Sequence, residues 1–211
     1  MSVIKHIARV KLTHSPTPLE FAPRLSELLG IELWVKRDDC TGLGGGGNKT
    51  RKLEFLLADA QSKGADTLVT LGGIQSNHAR QTAAAAAKLG FDCELVLQAV
   101  EGTPNSNYAN NGNILLDQLF GAKVHTLSNE QDIELYAQNL MQQLSDSGRS
   151  PYLIPIGGSN SIGSLGYVLC AEEMLTQLNS DTIEKTQHGA KASAHFDQIV
   201  LATGSAGTQA G

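Results

Sequence analysis

Strands and helices alternate along most of the chain, as the pattern of hydrophobic and polar positions indicates. Short apolar runs predict strands, and the stretches between them place apolar residues at helical spacing. The predicted strands lie at residues 32–36, 67–71, 94–97, 123–127, 152–156 and 198–202. The predicted helices lie at residues 17–30, 48–63, 77–89, 113–120, 130–144 and 162–178, the first beginning with a capping box at residues 17–20. This alternation predicts an α/β fold with a mostly parallel sheet and helices on both faces.

Three of the predicted strands run directly into turns of glycine and small polar residues, at residues 72–77, 157–161 and 203–208. The carboxyl ends of parallel strands meet at one edge of a sheet, and ligands bind there. The helix that follows such a turn offers free N–H groups to an anion. Glycine also makes tight turns where no ligand binds, so a single turn would say little. Together, the three turns predict an anionic ligand in a crevice at this edge.

Composition narrows the class of protein. The chain has 211 residues, is 41% hydrophobic and 18% charged, and has a formal net charge of −5, which indicates a globular protein of one large or two small domains. The acidic balance argues against nucleic-acid binding, no apolar run is long enough to span a membrane, and the histidines lack metal-ligand spacing. Cys40, Cys93 and Cys170 fit no disulfide framework, so we expect a cytoplasmic protein.

The C-terminus of the sequence is unusual. The sequence ends three residues after the glycine turn at residues 203–208, although such a turn normally leads into a helix. We therefore expect the chain to be incomplete at its C-terminus.

A glycine-rich segment at residues 42–47, interrupted only by Leu43 and called here the glycine run, precedes Asn48 and Lys49. It satisfies the dinucleotide pattern GxGxxG and nearly satisfies the P-loop pattern, but Asn48 interrupts the latter. No later strand ends in the aspartate that would hold magnesium. Nucleotide binding is therefore only an alternative.

Lys49 and the Ser76–Asn77 pair each stand at the start of a predicted helix. The helix dipole, with Arg51 and Lys52 nearby, disfavours a charged Lys49, and an uncharged lysine suits Schiff-base chemistry with a carbonyl cofactor. A solvated lysine is the alternative. Ser76 and Asn77 could hold a substrate carboxylate together with helix N–H groups, or they could simply cap the helix.

Four motifs carry a resemblance to a known family: residues 36–39 (KRDD), 46–54 (GGNKTRKLE), 75–83 (QSNHARQTA) and 203–208 (TGSAGT). They resemble D-cysteine desulfhydrases and their relatives, the 1-aminocyclopropane-1-carboxylate deaminases and L-cysteate sulfo-lyases. The resemblance implies a pyridoxal-phosphate enzyme of the tryptophan-synthase β-subunit fold, with two domains in three αβα layers (fold type II). Residues 51–162 would form the small domain, and residues 1–50 with 163–211 the start of a larger, phosphate-binding domain.

The resemblance also implies roles for individual residues. Lys49 matches the lysine that forms the internal aldimine, and Asn77 matches the residue that hydrogen-bonds the phenolic oxygen of the cofactor. Ser76, a second catalytic candidate, and His78 match positions beside the substrate carboxylate. The loop that would hold the cofactor phosphate comprises Gly204, Ser205, Ala206, Gly207 and Thr208.

The implied activity is β-elimination of D-cysteine to pyruvate, ammonia and hydrogen sulfide by a homodimer that acts on a small amino acid. L-cysteate and 1-aminocyclopropane-1-carboxylate are alternative substrates. A truncated, non-catalytic relative is the alternative of another class.

Overall fold

The computed structural model describes residues 4, 6–99, 106–179 and 195–211. Its strands are β1 (Leu19–Phe21), β2 (Trp34–Lys36), β3 (Thr67–Gly73), β4 (Asp92–Gln98), β5 (Lys123–Leu127) and β6 (Pro151–Ile154). Its helices are α1 (Pro23–Leu29), α2 (Lys49–Ser62), α3 (Asn77–Leu89), α4 (Ser106–Asn110), α5 (Asn113–Leu119), α6 (Ile133–Asp146) and α7 (Ser161–Asn179). Within the described ranges, no helix has the length and hydropathy needed to cross a membrane.

The central sheet has four parallel strands in the order β5-β4-β3-β6. Successive side chains of β3 point to opposite faces, so Leu68 packs with α2 and α3, while Val69 and Leu71 pack with α6. Helices therefore cover both faces of the sheet. The α/β fold class with a parallel sheet is confirmed.

Helix α3 begins and ends where the sequence predicts. The hydroxyl of Ser76 accepts a hydrogen bond from the backbone N–H of Ala79 at 3.1 Å and so caps the N-terminus, and Gly90 ends the helix in the left-handed conformation. The buried alanines of α3 leave room for close packing beside α2.

Helix α7 approaches the other side of α2 so closely that a Cβ atom at Gly166 would lie 2.3 Å from the carbonyl oxygen of Arg51.

The prediction of a helix beginning at residues 17–20 is wrong. Leu19–Phe21 forms β1, which pairs antiparallel with β2, and α1 starts only at Pro23. The hydroxyl of Thr17 donates to the carboxylate of Asp38 at 2.8 Å and is not used to cap a helix. The predicted helix end is confirmed, since Gly30 lies in the left-handed conformation with φ 65°.

The strand predicted at residues 198–202 is not formed. Ile199 and Val200 are 64% and 93% exposed, and no described strand lies beside this segment to supply hydrogen-bond partners. Helix α4 was not predicted from the sequence. The division into one domain at 51–162 and another at 1–50 with 163–211 stays a prediction.

Candidate active site

The helices α2 and α3 begin side by side, and the side chain of Gln81 joins them. Gln81 is fully buried, and its Oε1 accepts hydrogen bonds from the backbone N–H and the hydroxyl of Thr50, both at 3.0 Å. Its Nε2 donates to the backbone oxygen of Asn77 at 2.8 Å. Thr50 directly follows Lys49, so Lys49 and Asn77, the first residues of the two helices, lie at the same end of the molecule.

Lys49 is half-buried, and its Nζ donates to Oδ1 of Asn48 at 3.1 Å. Burial lowers the pKa of its amine. From the sequence, a lowered pKa of Lys49 was expected to result from the helix dipole and from neighbouring cations. One of those cations, Arg51, is paired with Asp38 at 2.8 Å and with Glu173 at 2.9 Å, so the removal of Lys49 from water is the cause of the shift.

Lys52 lies one turn further along α2 and is fully buried. Its Nζ donates to the backbone oxygen of Gly157 at 3.2 Å and to Oγ of Ser159 at 3.1 Å. Burial first, and then the charge of Lys49, lowers the pKa of Lys52 to about 8. From the sequence alone, Lys52 was expected only to contribute a positive charge near Lys49. Its spacing of three residues from Lys49 on one helix face was the available signal.

The predicted phosphate loop lies against this buried amine. Oγ of Ser205 is 2.7 Å from Oγ of Ser159, and Nδ2 of Asn48 donates to Oγ1 of Thr208 at 3.3 Å. Gly207 is buried, and a Cβ atom there would lie 2.8 Å from Nζ of Lys52 and 2.4 Å from Oγ of Ser159. The loop backbone therefore comes as close to Lys52 as only glycine permits.

The other two loop residues lie further out. Ala206 is exposed and has a positive φ of 58°. Apart from its chain neighbours, no residue in the described part of the chain lies within 4 Å of a Cβ atom built at Gly204.

The second and third of the predicted glycine turns, at residues 157–161 and 203–208, meet in the structure, although no strand precedes the third. A Cβ atom at Gly157 would lie 2.3 Å from Oγ of Ser205, so the second turn touches the third. A Cβ atom at Gly158 would lie 3.5 Å from Cε1 of His78 and 3.5 Å from Cβ of Lys52, which brings the start of α3 to the same place. The second and third turns line one crevice together with the first part of α7, and the start of α3 lies beside the second turn.

The donors in this crevice fit pyridoxal phosphate. Lys52, the hydroxyls of Ser205 and Thr208, and the close backbone approach at Gly207 suit a phosphate group. The amine of Lys49, with its lowered pKa, suits an aldehyde.

Comparison with known proteins decides the family. The model of the family described as pyridoxal-phosphate dependent enzyme matches residues 10–211. The chain belongs to this family.

The chain is also similar to individual proteins of this kind. The chain is 48% identical to a D-cysteine desulfhydrase of Serratia proteamaculans and 46% identical to one of Salmonella typhi, each over 203 residues, or 96% of this chain and 58% of the relative. A solved structure described as an ACC deaminase homologue superposes with a TM-score of 0.82 at 42% identity, covering 98% of this chain and 58% of that one. The family resemblance predicted from the motifs is thus confirmed. The chain spans less than two thirds of the length of these relatives.

In this pyridoxal-phosphate-dependent chain, the imidazole of His78 faces the protein interior. Its Nε2 lies 2.9 Å from the hydroxyl of Thr70, which donates to the backbone oxygen of Ile154 at 2.8 Å. Nε2 of His78 must therefore donate to Thr70. Burial, with the nearby charges of Lys49 and Lys52, lowers the pKa of His78 to about 3, so the ring is neutral. The part of His78 that the first turn of α3 offers to an anion is its backbone N–H.

The glycine run before Lys49 lacks the context of a nucleotide-binding loop. It follows β2, whose partner β1 is antiparallel, whereas the dinucleotide and P-loop patterns follow a strand of a parallel sheet. The guanidinium of Arg80 donates to the carbonyl oxygens of Gly44 and Gly46, the latter at 2.8 Å.

Over the described residues, no group of three or more His, Cys, Asp and Glu side chains is placed to hold a metal ion.

Proposed function

We propose that the protein catalyses the pyridoxal-phosphate-dependent β-elimination of D-cysteine, which with water gives pyruvate, ammonia and hydrogen sulfide. The observation that carries this proposal is a half-buried Lys49 with a lowered pKa, which the side chain of Asn48 links to Thr208 in the loop that lies against Lys52. The identity of 46–48% to D-cysteine desulfhydrases over almost the whole chain supports the choice of substrate.

The cofactor phosphate would be held by Lys52, by the side chains of Ser205 and Thr208, and by the loop backbone at Gly204, Ala206 and Gly207. Below pH 8 the amine of Lys52 carries a proton, and a charged donor binds a phosphate oxygen more strongly than a neutral one. Asn77 would donate to the phenolic oxygen. When bound, pyridoxal phosphate supplies an electron sink that stabilises negative charge at the α-carbon of an amino acid.

Lys49 has two roles in this proposal. Because burial lowers its pKa, a larger fraction of its amine is uncharged near neutral pH, as both attack on an aldehyde and removal of a proton require. It would first hold the cofactor covalently and then take the proton from Cα of the substrate. Loss of that proton allows the sulfur to leave from Cβ.

The start of α3 would hold the substrate carboxylate. The hydroxyl of Ser76 and the backbone N–H groups of Asn77 and His78 stand at a helix N-terminus, where free donors and the helix dipole favour an anion. Ser76 already accepts from Ala79, so its own O–H remains available as a donor toward the carboxylate. A carboxylate fixed there would orient the Cα–H bond toward Lys49.

The test is turnover by the full-length protein loaded with pyridoxal phosphate. We expect D-cysteine to give equal amounts of sulfide and pyruvate, and Lys49→Ala to abolish both products and the visible absorbance of the lysine-bound cofactor. Lys88→Ala, which removes an exposed lysine from α3, is the matched control and should keep both.

The alternatives give other results in the same assay. Release of sulfite from L-cysteate without sulfide from D-cysteine would indicate a sulfo-lyase, and conversion of 1-aminocyclopropane-1-carboxylate would indicate a deaminase. A sulfonate needs additional donors around its three oxygens, which a thiol does not. Binding of the cofactor without turnover of any of the three would indicate a non-catalytic relative.

We also propose that the protein works as a cytoplasmic homodimer. The resemblance to D-cysteine desulfhydrases supports the dimer. The unpaired state of Cys40, Cys93 and Cys170 in the structure is compatible with a reducing compartment. Light scattering coupled to size-exclusion chromatography gives the mass in solution, and twice the mass of one subunit is expected.

A further inference from the structure

The side-chain amide of Asn77 is hydrogen-bonded to Asn113, the first residue of α5. Nδ2 of Asn113 donates to the backbone oxygen of Gln75 at 2.8 Å and to Oδ1 of Asn77 at 2.9 Å. A backbone carbonyl oxygen can only accept, so it is the nitrogen of Asn113 that must face Gln75. That same nitrogen reaches Asn77, which must therefore present its oxygen.

Asn113 is itself held firmly by the side chain of Gln75. The backbone N–H of Asn113 donates to Oε1 of Gln75 at 2.9 Å, and Nε2 of Gln75 donates to the backbone oxygens of Tyr108 and Asn111 at 2.6 and 2.7 Å. Gly112 is required for this arrangement, because it has a φ of 65° and a Cβ atom there would lie 2.7 Å from Oε1 of Gln75. Two backbone carbonyl oxygens orient the amide of Gln75. None of the side-chain amides of Gln75, Asn77 and Asn113 can therefore rotate by about 180° without losing hydrogen bonds.

The network leaves Nδ2 of Asn77 as the amide atom that can donate to a ligand. Resting on the proposed function, we infer that Asn113 is a positioning residue, which fixes the amide of Asn77 so that its nitrogen, and not its oxygen, faces the phenolic oxygen of pyridoxal phosphate. The two ends of an asparagine amide have nearly the same shape, so packing alone does not choose between them. The hydrogen bond from Asn113 makes the choice.

The orientation of Asn77 has a spectroscopic consequence. A donor opposite the phenolic oxygen favours its ionised form, whereas an amide oxygen there favours the neutral phenol. The ionised form of the lysine-bound cofactor absorbs in the visible range and the neutral form in the near ultraviolet. The ratio of the two bands therefore reports which end of the Asn77 amide faces the cofactor.

The test compares three variants of the full-length holoenzyme at one pH near neutrality. Asn113→Asp replaces the donor with an acceptor of the same shape, so Asn77 must turn its nitrogen toward residue 113 and its oxygen toward the cofactor. Asn113→Ala removes the donor and leaves both orientations open. Asn111→Asp is the matched control, because it adds the same charge two residues away and keeps the acceptor that binds the N–H of Gly112 at 2.8 Å.

We expect the ratio of visible to near-ultraviolet absorbance, per bound cofactor, to fall roughly tenfold in Asn113→Asp and roughly twofold in Asn113→Ala. Asn111→Asp should keep the ratio of the unchanged protein. Wild-type ratios in both Asn113 variants would overturn the inference and leave the proposed function standing. If Asn113→Asp does not fold, Asn113→Ala alone decides. An unchanged protein that binds no pyridoxal phosphate would overturn the proposed function and this inference with it.

Discussion

Gln81 accepts two hydrogen bonds from Thr50, and this buried contact fixes the helix that begins at Lys49 against the helix that begins at Asn77. The third bond of the same amide goes to the backbone of Asn77. A Cβ atom at Gly47 would lie 2.5 Å from Nε2 of Gln81, so the glycine run before Lys49 also packs directly on this side chain. One glutamine thus sets the distance between the residues that the proposal assigns to the cofactor.

Gln81→Ala should destabilise the protein by about 2–4 kcal/mol, because it leaves the N–H and the hydroxyl of Thr50 buried without their acceptor and opens a cavity. Urea unfolding followed by circular dichroism measures the change. Gln143→Ala, on the exposed face of α6, is the matched control and should cost less than about 0.5 kcal/mol. Equal unfolding midpoints for the two variants would show that the Gln81 contact contributes nothing.

Lys52→Met should weaken binding of the cofactor phosphate. The probe is pyridoxamine 5'-phosphate, which has no aldehyde and cannot bond covalently to Lys49. An anion favours the charged form of Lys52, whose pKa is lowered to about 8, so wild-type affinity should fall as the pH rises through 8. Calorimetric titration should show an affinity about tenfold lower in Lys52→Met than in the unchanged protein at pH 7. The affinity of Lys52→Met should not fall as the pH rises through 8.

Lys88→Met removes an exposed lysine and serves as the control for the Lys52 experiment. It should reproduce both the affinity and the pH dependence of the unchanged protein. Undiminished affinity in Lys52→Met at pH 7 would remove Lys52 from the phosphate site.

Asp117 on α5 is a buried carboxyl group outside the proposed site. Among the residues that the structure describes, neither of its oxygens has a hydrogen-bond partner. Burial raises its pKa from 3.8 to about 7, although the charge of Arg80 opposes the shift. The folded state therefore holds a proton that the unfolded state releases above pH 4. The stability that this proton contributes is present at low pH and is lost as the pH rises through 7.

Asp117→Asn should remove that pH dependence. Between pH 5 and pH 8, the unchanged protein should lose about 1–3 kcal/mol of unfolding free energy relative to the variant. Chemical unfolding at the two pH values gives the difference. Asp146→Asn, on the exposed surface of α6, keeps its acceptor for Gln142 and controls for the loss of a surface charge. If the difference in unfolding free energy between the unchanged protein and Asp117→Asn is the same at both pH values, Asp117 is ionised throughout this range.

Local signals in the sequence were sufficient for the central part of the fold. Ser76 and Gly90 mark the two ends of α3, and the apolar runs at 67–71 and 94–97 lie within buried parallel strands. The glycine turns at residues 157–161 and 203–208, which the sequence placed at one edge, lie in contact in the structure. These features depend on neighbours in sequence, so they can be read without knowing the tertiary structure.

The features that the sequence did not reveal depend on distant contacts. Thr17 looks like a helix cap but binds Asp38, 21 residues away. The burial of Lys52 depends on the turn at Gly157 and on the approach of α7. The bond between Asn77 and Asn113 joins residues 36 apart and has no local signature. In each case a polar residue has several possible partners, and only packing selects one.

In the proposed function, the amine of Lys49 binds pyridoxal phosphate covalently. Reduction of the holoenzyme with borohydride, followed by digestion and mass spectrometry of the peptides, locates this bond, because reduction makes the link between amine and cofactor permanent. We expect to find the cofactor mass on Lys49 and not on Lys52, three residues away. Cofactor fixed to Lys52, or to no peptide containing residue 49, would contradict this expectation.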